Sequence, residues 1–562
     1  MKKPDKKDTG KGPRIGVFVC NCGTNIAGFL EAKAVADYAS GLPNVVFVRE
    51  NLYSCSEAGI NDIRQGIIDN KLEGVVVAAC TPRTHEPTFR AACEDAGLNP
   101  YFFEFVNIRE HCSWVHKEER EAATQKAKDL IRMGVARAAY LEPMEPIIGD
   151  VTRRALVIGG GISGMTASLE LAGRGFEVVL VEKQKQLGGL LKAVNWIYPH
   201  ERPAREYVKG LVDRVGKARR MKVLKSSEVT EVKGYIGKYI VSITSLKKPV
   251  TTGIIIVATG AEVLVPEGQY GFDSKRVVTQ LQLEDLLARS KSRPGNVVMI
   301  GCVGARTRER FYCSRICCMT AIKNAVLIRK KWKSDVTMLY RDLMCYGIKY
   351  EALLMEAKEA GVRFVNYPDD GPPVAGKGEV RVTSAILGRE MVLPYDLLVL
   401  ETPLVPAGTN EALSRMLKVP LDEYGFFLEA HVKLRPLDFA TDGIFVCGTA
   451  RWPASIRECV EQALGAASRA STFLESGRVK VEPIVSFVTE DDCRGCGLCV
   501  ALCPYGAIEL VKTEAGEKAR TIDVACKGCG TCGATCYRGA ITMKHYSDEQ
   551  LTAQIRAAFK KE

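Results

Sequence analysis

Cysteine sets the chemistry open to this chain of 562 residues. Of its 21 cysteines, eight fall in two matching runs, Cys493-x2-Cys496-x2-Cys499-x3-Cys503-Pro504 and Cys526-x2-Cys529-x2-Cys532-x3-Cys536. This spacing holds two [4Fe–4S] clusters: three close cysteines wrap one face of a cubane, and the fourth of each run reaches the other cluster. Cys493, Cys496, Cys499 and Cys536 are therefore expected to share one cluster, and Cys526, Cys529, Cys532 and Cys503 the other. Gly495, Gly497, Gly528 and Gly530 let backbone N–H groups approach the sulfurs. Paired CxxC runs also bind zinc, but a doubled four-cysteine run argues for clusters. Tyr537 stands where the first run has Pro504.

Two further groups are less regular. Cys313-x3-Cys317-Cys318 follows the turn Gly301-Cys302-Val303-Gly304. A helix would place Cys313 and Cys317 on one face, with Cys318 beside them and Cys302 reaching in from the turn, which makes four thiolates for a third cluster. The alternative is a set of buried core thiols, since free cysteine packs as a small hydrophobe. Near the N-terminus, Cys20, Cys22, Cys55 and Cys80 fall at or just beyond strand ends, and Cys112 lies on a loop before a helix. Strand C-termini of a parallel sheet share one edge, and ligands bind there. Four of these five suffice for a cluster; the alternative is a sheet edge of free thiols. Cys93, on a helix, is left out. His85, His111 and His116 stand nearby, as tuning groups or as polar loop residues.

The glycines point to a nucleotide. Gly159-x-Gly161-x-x-Gly164 directly follows the strand ALVI and opens a helix. Gly159 makes the turn, Gly161 lets the backbone reach a pyrophosphate, and Gly164 permits close helix–strand packing. The helix N-terminus favours the anion. Glu182, at the end of the next strand, fits a ribose hydroxyl. Gly188 and Gly189 resemble the paired glycines of FAD enzymes of the disulfide-reductase class, and Val257-Ala258-Thr259-Gly260 resembles their ATG strand end. Asp442 to Gly448 resembles their last flavin strand, with Thr449 where that class has Asp. The resemblance spans residues 153–478 and implies a thioredoxin-reductase-like fold binding FAD. The second dinucleotide unit keeps a turn glycine at Gly301 and a helix start but has no GxGxxG, so NAD(P)H is not expected there.

These residues need elements to hold them. The pattern is α/β: an N-terminal α/β domain over 14–147, a two-dinucleotide-domain flavoprotein core over 148–480 in which one dinucleotide domain interrupts the other, a two-cluster ferredoxin domain over 481–546 and a helical tail over 547–562. A helix is expected from about Lys117 to Ala139. The net charge of +12 is spread along the chain, which argues against nucleic-acid binding. The charged start MKKPDKKDTGKGPR has no apolar core for a secretory signal, and no apolar run is long enough to span a membrane. A cytoplasmic protein is expected, and there clustered cysteines mean metal.

The run Cys313-Ser314-Arg315-Ile316-Cys317-Cys318-Met319-Thr320-Ala321-Ile322-Lys323 resembles the heterodisulfide reductase family in its flavin-bearing A component. So do Val19-Cys20-Asn21-Cys22-Gly23, Cys80-Thr81-Pro82-Arg83-Thr84-His85-Glu86-Pro87 and Asn107-Ile108-Arg109-Glu110-His111-Cys112-Ser113-Trp114. The similarity covers nearly the whole chain. It implies a flavin-based electron-bifurcating hub working beside other subunits and electron donor or acceptor proteins; the cysteine grouping leads to an expectation of one FAD and about four [4Fe–4S] clusters. Fuller members carry an inserted second ferredoxin module. This chain has no cysteine between Cys112 and Cys302 and so resembles a shorter variant. The resemblance also implies that Lys323 lies beside the flavin, near N5. Spacing shows only that it does not share a face with Cys318, and a surface lysine is the alternative. Rival functions are a self-contained NAD(P)H oxidoreductase of the glutamate-synthase small-subunit type and a non-bifurcating electron conduit.

Overall fold

The computed structural model describes residues 12–199, 202–289 and 293–560. The charged start up to residue 11 and the last two residues of the expected tail helix lie outside these. The chain divides into two compact units: the residues up to Ile148 together with those from Lys480, and the residues Gly149–Val479.

In the first unit a parallel sheet runs in the order Val45–Asn51, Ile15–Cys20, Gly74–Ala79, Phe103–Asn107. Ile15–Cys20 and Gly74–Ala79 are buried at every residue, as central parallel strands covered on both faces must be. Helices Ala32–Ser40, Glu57–Asn70, Pro82–Asp95 and Arg120–Ala138 connect or flank them. The last starts three residues later than expected, because a π-helical turn over Arg109–Ser113 first carries the chain off the sheet.

The C-terminal segment packs into this same unit. It contributes the antiparallel pairs Ser486–Val488 with Ile541–Met543 and Ile508–Thr513 with Gly516–Thr521. Its final helix, Asp548–Ala558, opens on a capping box between Ser547 and Gln550. Arg132 Nε donates to Ala557 O at 2.8 Å and Gln550 Nε2 to Tyr140 O at 3.0 Å. Arg137 is buried against Glu104 and His545 O, with its guanidinium 4.6 Å over the Tyr546 ring.

The second unit contains two five-stranded parallel sheets. One runs Met221–Lys225, Glu177–Glu182, Arg154–Ile158, Ile254–Val257, Ile444–Val446. The other runs Val277–Thr279, Leu397–Leu400, Asn296–Ile300, Asp335–Tyr340, Arg363–Asn366 and lies in sequence between the last two strands of the first. One dinucleotide domain thus interrupts the other, as the motif order implied. No helix among the described residues is long and apolar enough to cross a membrane.

Candidate functional site: a nucleotide cavity and three groups of cysteines

The glycine turn forms where the sequence put it. Gly159 has φ 110°, and a Cβ there would meet Ala258 O at 2.3 Å. A Cβ on Gly164 would lie 1.8 Å from Gly159 O, so only glycine lets the helix Ile162–Gly173 sit on its strand. Gly161 differs: a Cβ there meets nothing within 4 Å. The space it leaves open belongs to a cavity of about 820 Å³, at the helix N-terminus, where unpaired N–H groups would favour an anion. Glu182, Gly188, Gly189, Thr259, Gly260 and Thr449 line the same cavity. Glu182 is held by its own backbone surroundings, with Oε2 accepting from Gly160 N at 2.6 Å and Oε1 from Gln184 N at 2.7 Å. Each oxygen keeps a second lone pair for a ribose hydroxyl. Gly164 and Gly448 are not in the lining. Gly448 (φ 72°) serves packing, because a Cβ there would strike Ser163 Oγ at 2.2 Å. The open Gly161 face, the engaged carboxylate and the extended cavity fit FAD.

Cys317 and Lys323 also line this cavity. Lys323 is 6% exposed, so the surface alternative fails. Its Nζ donates to the Glu284 carboxylate and to Trp196 O at 3.2 Å. Burial pulls its pKa below the ordinary lysine value, and Glu284 opposes that.

Two expectations about the second dinucleotide half need correction. Residues 301–316 form an irregular loop, and the helix starts only at Cys317, so no helix start follows the Gly301 turn. For the same reason Cys313 and Cys317 do not share a helix face: Arg315, at φ 65°, breaks the helical path between them. The thiols converge nonetheless. Burial pushes Cys302 up to about 11, with Glu401 and Cys313 adding to it, and Cys317 up to about 12, with Glu401, Cys302 and Cys313 adding. Cys318 is pushed further, first by burial, then by Glu401, and also by Cys317 and Cys302. Their sulfurs are otherwise weakly engaged: Cys317 Sγ faces Thr402 O at 3.6 Å, Cys318 Sγ faces Asp342 O at 3.5 Å, and Cys313 Sγ accepts from Arg315 N at 3.3 Å. Glu401, wholly buried with both oxygens unpartnered, was missed in the sequence. Its signal was an acid directly after an all-buried strand. Glu284 carries no motif at all.

At the N-terminal sheet edge the structure gathers four of the five cysteines. Burial raises the Cys22, Cys55 and Cys80 thiols; Cys20 adds to all three, Cys55 adds to Cys22 and Cys80, and Arg109 opposes the rise at each. Cys20 Sγ accepts from Ser54 N at 3.3 Å. Cys112 is not part of this group. It is wholly buried in the hydrophobic core and is pushed up to about 12 by burial, with Lys126 opposing the rise and Asp129 adding to it. Cys93 is likewise core. Of the histidines, His85 lies near Arg109 and is held below its ordinary value, mainly by burial. His116 pairs with Glu119 at 3.1 Å, and His111 is exposed.

The C-terminal cysteines surround two pockets, crossed as the spacing required. Cys493, Cys496, Cys499 and Cys536 line one, and Cys503, Cys526, Cys529 and Cys532 the other. Backbone donors reach the sulfurs: Ala519 N to Cys493 at 3.4 Å, Ala507 N to Cys503 at 3.3 Å and Ser486 N to Cys526 at 3.5 Å. Gly495 and Gly528 have positive φ, and a Cβ on either would strike a carbonyl, Glu517 O at 2.2 Å or Ile484 O at 2.6 Å. Tyr537 is 70% exposed, so the missing proline leaves the pocket intact. Among the described residues no three His, Cys, Asp or Glu side chains close around a single ion.

A family model described as pyridine nucleotide-disulphide oxidoreductase matches residues 153–463, and one described as a 4Fe-4S dicluster domain matches residues 492–540. The chain is 40% identical to an iron-sulfur A-type component of the CoB--CoM heterodisulfide reductase of Methanopyrus kandleri, over 98% of this chain and 99% of the relative. It is 37% identical to the corresponding component of the H(2):CoB-CoM heterodisulfide,ferredoxin reductase of Methanothermobacter marburgensis, over 99% and 98%. These alignments run over 648 and 658 positions, so the relatives carry residues that this chain lacks. Among solved structures, a thioredoxin reductase of T. acidophilum is 19% identical over 58% of this chain and 99% of that chain, with a TM-score of 0.41.

Proposed function

The chain belongs to the HdrA family, the flavin-bearing components of heterodisulfide reductases, and on that premise we propose that it is the FAD- and [4Fe–4S]-carrying electron-transfer subunit of a multi-subunit anaerobic reductase, working in the cytoplasm and dividing electrons between two acceptors. One observation carries this reading: the cavity lined by Gly159, Gly161 and Glu182 is also lined by Cys317 and Lys323, so the proposed nucleotide site reaches one member of a cysteine group. FAD bound there supplies the exchange between electron pairs and the single electrons that clusters carry. The chain's own part is to seat the pyrophosphate on the helix at Ile162, hold a ribose on Glu182 and keep Lys323 charged at the cavity wall. Two acceptors are supported by the Methanothermobacter marburgensis relative, whose name joins hydrogen, the heterodisulfide and ferredoxin.

The proposed cluster ligands are the two crossed C-terminal sets, then Cys302, Cys313, Cys317 and Cys318, and Cys20, Cys22, Cys55 and Cys80. The partners are the remaining subunits of such a reductase and its donor and acceptor proteins. A self-contained NAD(P)H enzyme would need a phosphate cradle in the second half, and the loop over 301–316 offers no helix start for one. Anaerobic purification tests the reading. One FAD and about four [4Fe–4S] clusters per chain are expected, with no rapid bleaching of the flavin by stoichiometric NADH. About eight irons would remove the N-terminal and the Cys302–Cys318 clusters from the proposal, and rapid bleaching would restore the NAD(P)H reading.

A further inference from the structure

Lys323 does not stand alone at the cavity. It lies on the helix Cys317–Trp332, and Glu284, which meets it, lies on the helix Gln280–Arg289. Both line the cavity. The Glu284 side chain is 1% exposed and Lys323's 7%. Both oxygens of the carboxylate are engaged: Oε1 takes Lys323 Nζ, and Oε2 takes Asn195 N at 2.9 Å. Asn195 Nδ2 then donates to the backbone carbonyl of Glu284, and Trp196 O takes a second N–H of Lys323 at 3.2 Å. Asn195 and Trp196 come from the first dinucleotide half, whereas Lys323 and Glu284 come from the second. The ammonium is thus fixed by groups from two halves.

We propose that Glu284 is a positioning residue that clamps the Lys323 ammonium at the cavity wall and cancels its charge, so that the bound flavin's midpoint potential is set by the pair rather than by the lysine. This rests on the reading that FAD occupies the cavity beside Lys323. A buried ion pair is neutral as seen from a distance, and removing either partner leaves the other uncompensated in a low-dielectric site. The two single changes therefore act in opposite directions on a cofactor that gains negative charge on reduction.

The test is anaerobic potentiometry of FAD in the full chain from mildly acid to mildly alkaline pH, each variant compared with the parent at the same pH, because an unpaired buried lysine keeps its charge best at the acid end and an unpaired buried carboxylate at the alkaline end. Glu284→Gln should raise the midpoint, Lys323→Met should lower it, and the double variant should return near the parent. Each single shift should change the reduced-to-oxidised ratio at fixed solution potential at least tenfold, about 30 mV for a two-electron couple. A role in folding alone would not give opposite shifts that cancel. If Lys323→Met moves the potential and Glu284→Gln does not, the inference is overturned while the flavin reading stands. If neither moves it with full FAD loading, both fall. Should Glu284→Gln fail to load FAD, Glu284→Asp withdraws the carboxylate by one methylene. A positive shift there supports the clamp, and an unchanged midpoint overturns it.

Discussion

In the C-terminal segment each cluster pocket is a short turn plus one cysteine borrowed from the matching run. At the N-terminal edge Cys20, Cys22, Cys55 and Cys80 come from the ends of three strands and meet only because the sheet is parallel and ordered 2-1-3-4. The first arrangement needs positive-φ glycines at Gly495 and Gly528 and little else. The second needs a whole folded sheet. Arg109 stands among the N-terminal thiols and opposes their rise in pKa. A site written locally can be read from spacing, whereas one assembled by topology is known only when the topology is.

The largest expected effect tests the local site. Cys503→Ala should remove the cluster whose other ligands are Cys526, Cys529 and Cys532, about a quarter of the iron, and spare the one its own neighbours hold. Iron analysis with EPR of the reduced protein checks this, and loss of the cluster on Cys493 to Cys499 instead would refute the crossing. For the assembled site, Cys55→Ser should remove one cluster, while Cys112→Ser keeps all the iron. The Cys112 change buries an unpaired hydroxyl in the core and should cost about 1–3 kcal/mol, read by chemical denaturation. Equal iron loss from both variants would erase the distinction drawn between them.

A smaller effect concerns how the two kinds of site are held in one unit. His545 is buried beside Arg137 and Tyr101, and burial, with Arg137 and Arg90 adding, holds its imidazole down at about 3. Unfolding would return it to the ordinary value of about 6.5. Between these values the unfolded chain binds the extra proton, so stability falls as pH drops below about 6.5 and the loss is complete near 3. His545→Phe should flatten that part of the stability profile and leave the neutral-pH iron content unchanged. A variant whose acid slope matches the parent's would show that His545 charges without cost.

The same contrast explains what the sequence made legible. The crossed ligand sets, the turn at Gly159 and the interruption of one dinucleotide domain by another were all written in short runs. The crowding at Gly164 was legible because helix–strand packing at this motif demands it, whereas the open face at Gly161 shows only the space in which a pyrophosphate is proposed. The helix at Cys313 was misread because the positive φ of Arg315 has no glycine to announce it. Cys112 could not be separated from its fellows, since a buried strand-end cysteine and a core cysteine look alike in sequence. Glu284 and Glu401 were invisible for a related reason: an acid becomes informative only when its burial and its partners are known. Nor did any motif signal that the C-terminal segment packs with the N-terminal sheet.

That shared packing has a consequence in time. The strands Ile15–Cys20 and Gly74–Ala79 are synthesised before Gly149–Val479, but the carbonyl of His545 and the helix Asp548–Ala558 that pack into their unit follow only after it. At ordinary elongation rates the delay is on the order of 20 to 80 s. Throughout it the Arg137–Glu104 pair lacks its cover, and the N-terminal cysteines stand in a half-built unit. The nascent protein therefore has a period in which Gly149–Val479 can fold while the first unit is incomplete. The cluster proposed for the N-terminal edge would therefore belong to a unit whose two parts are synthesised far apart in time.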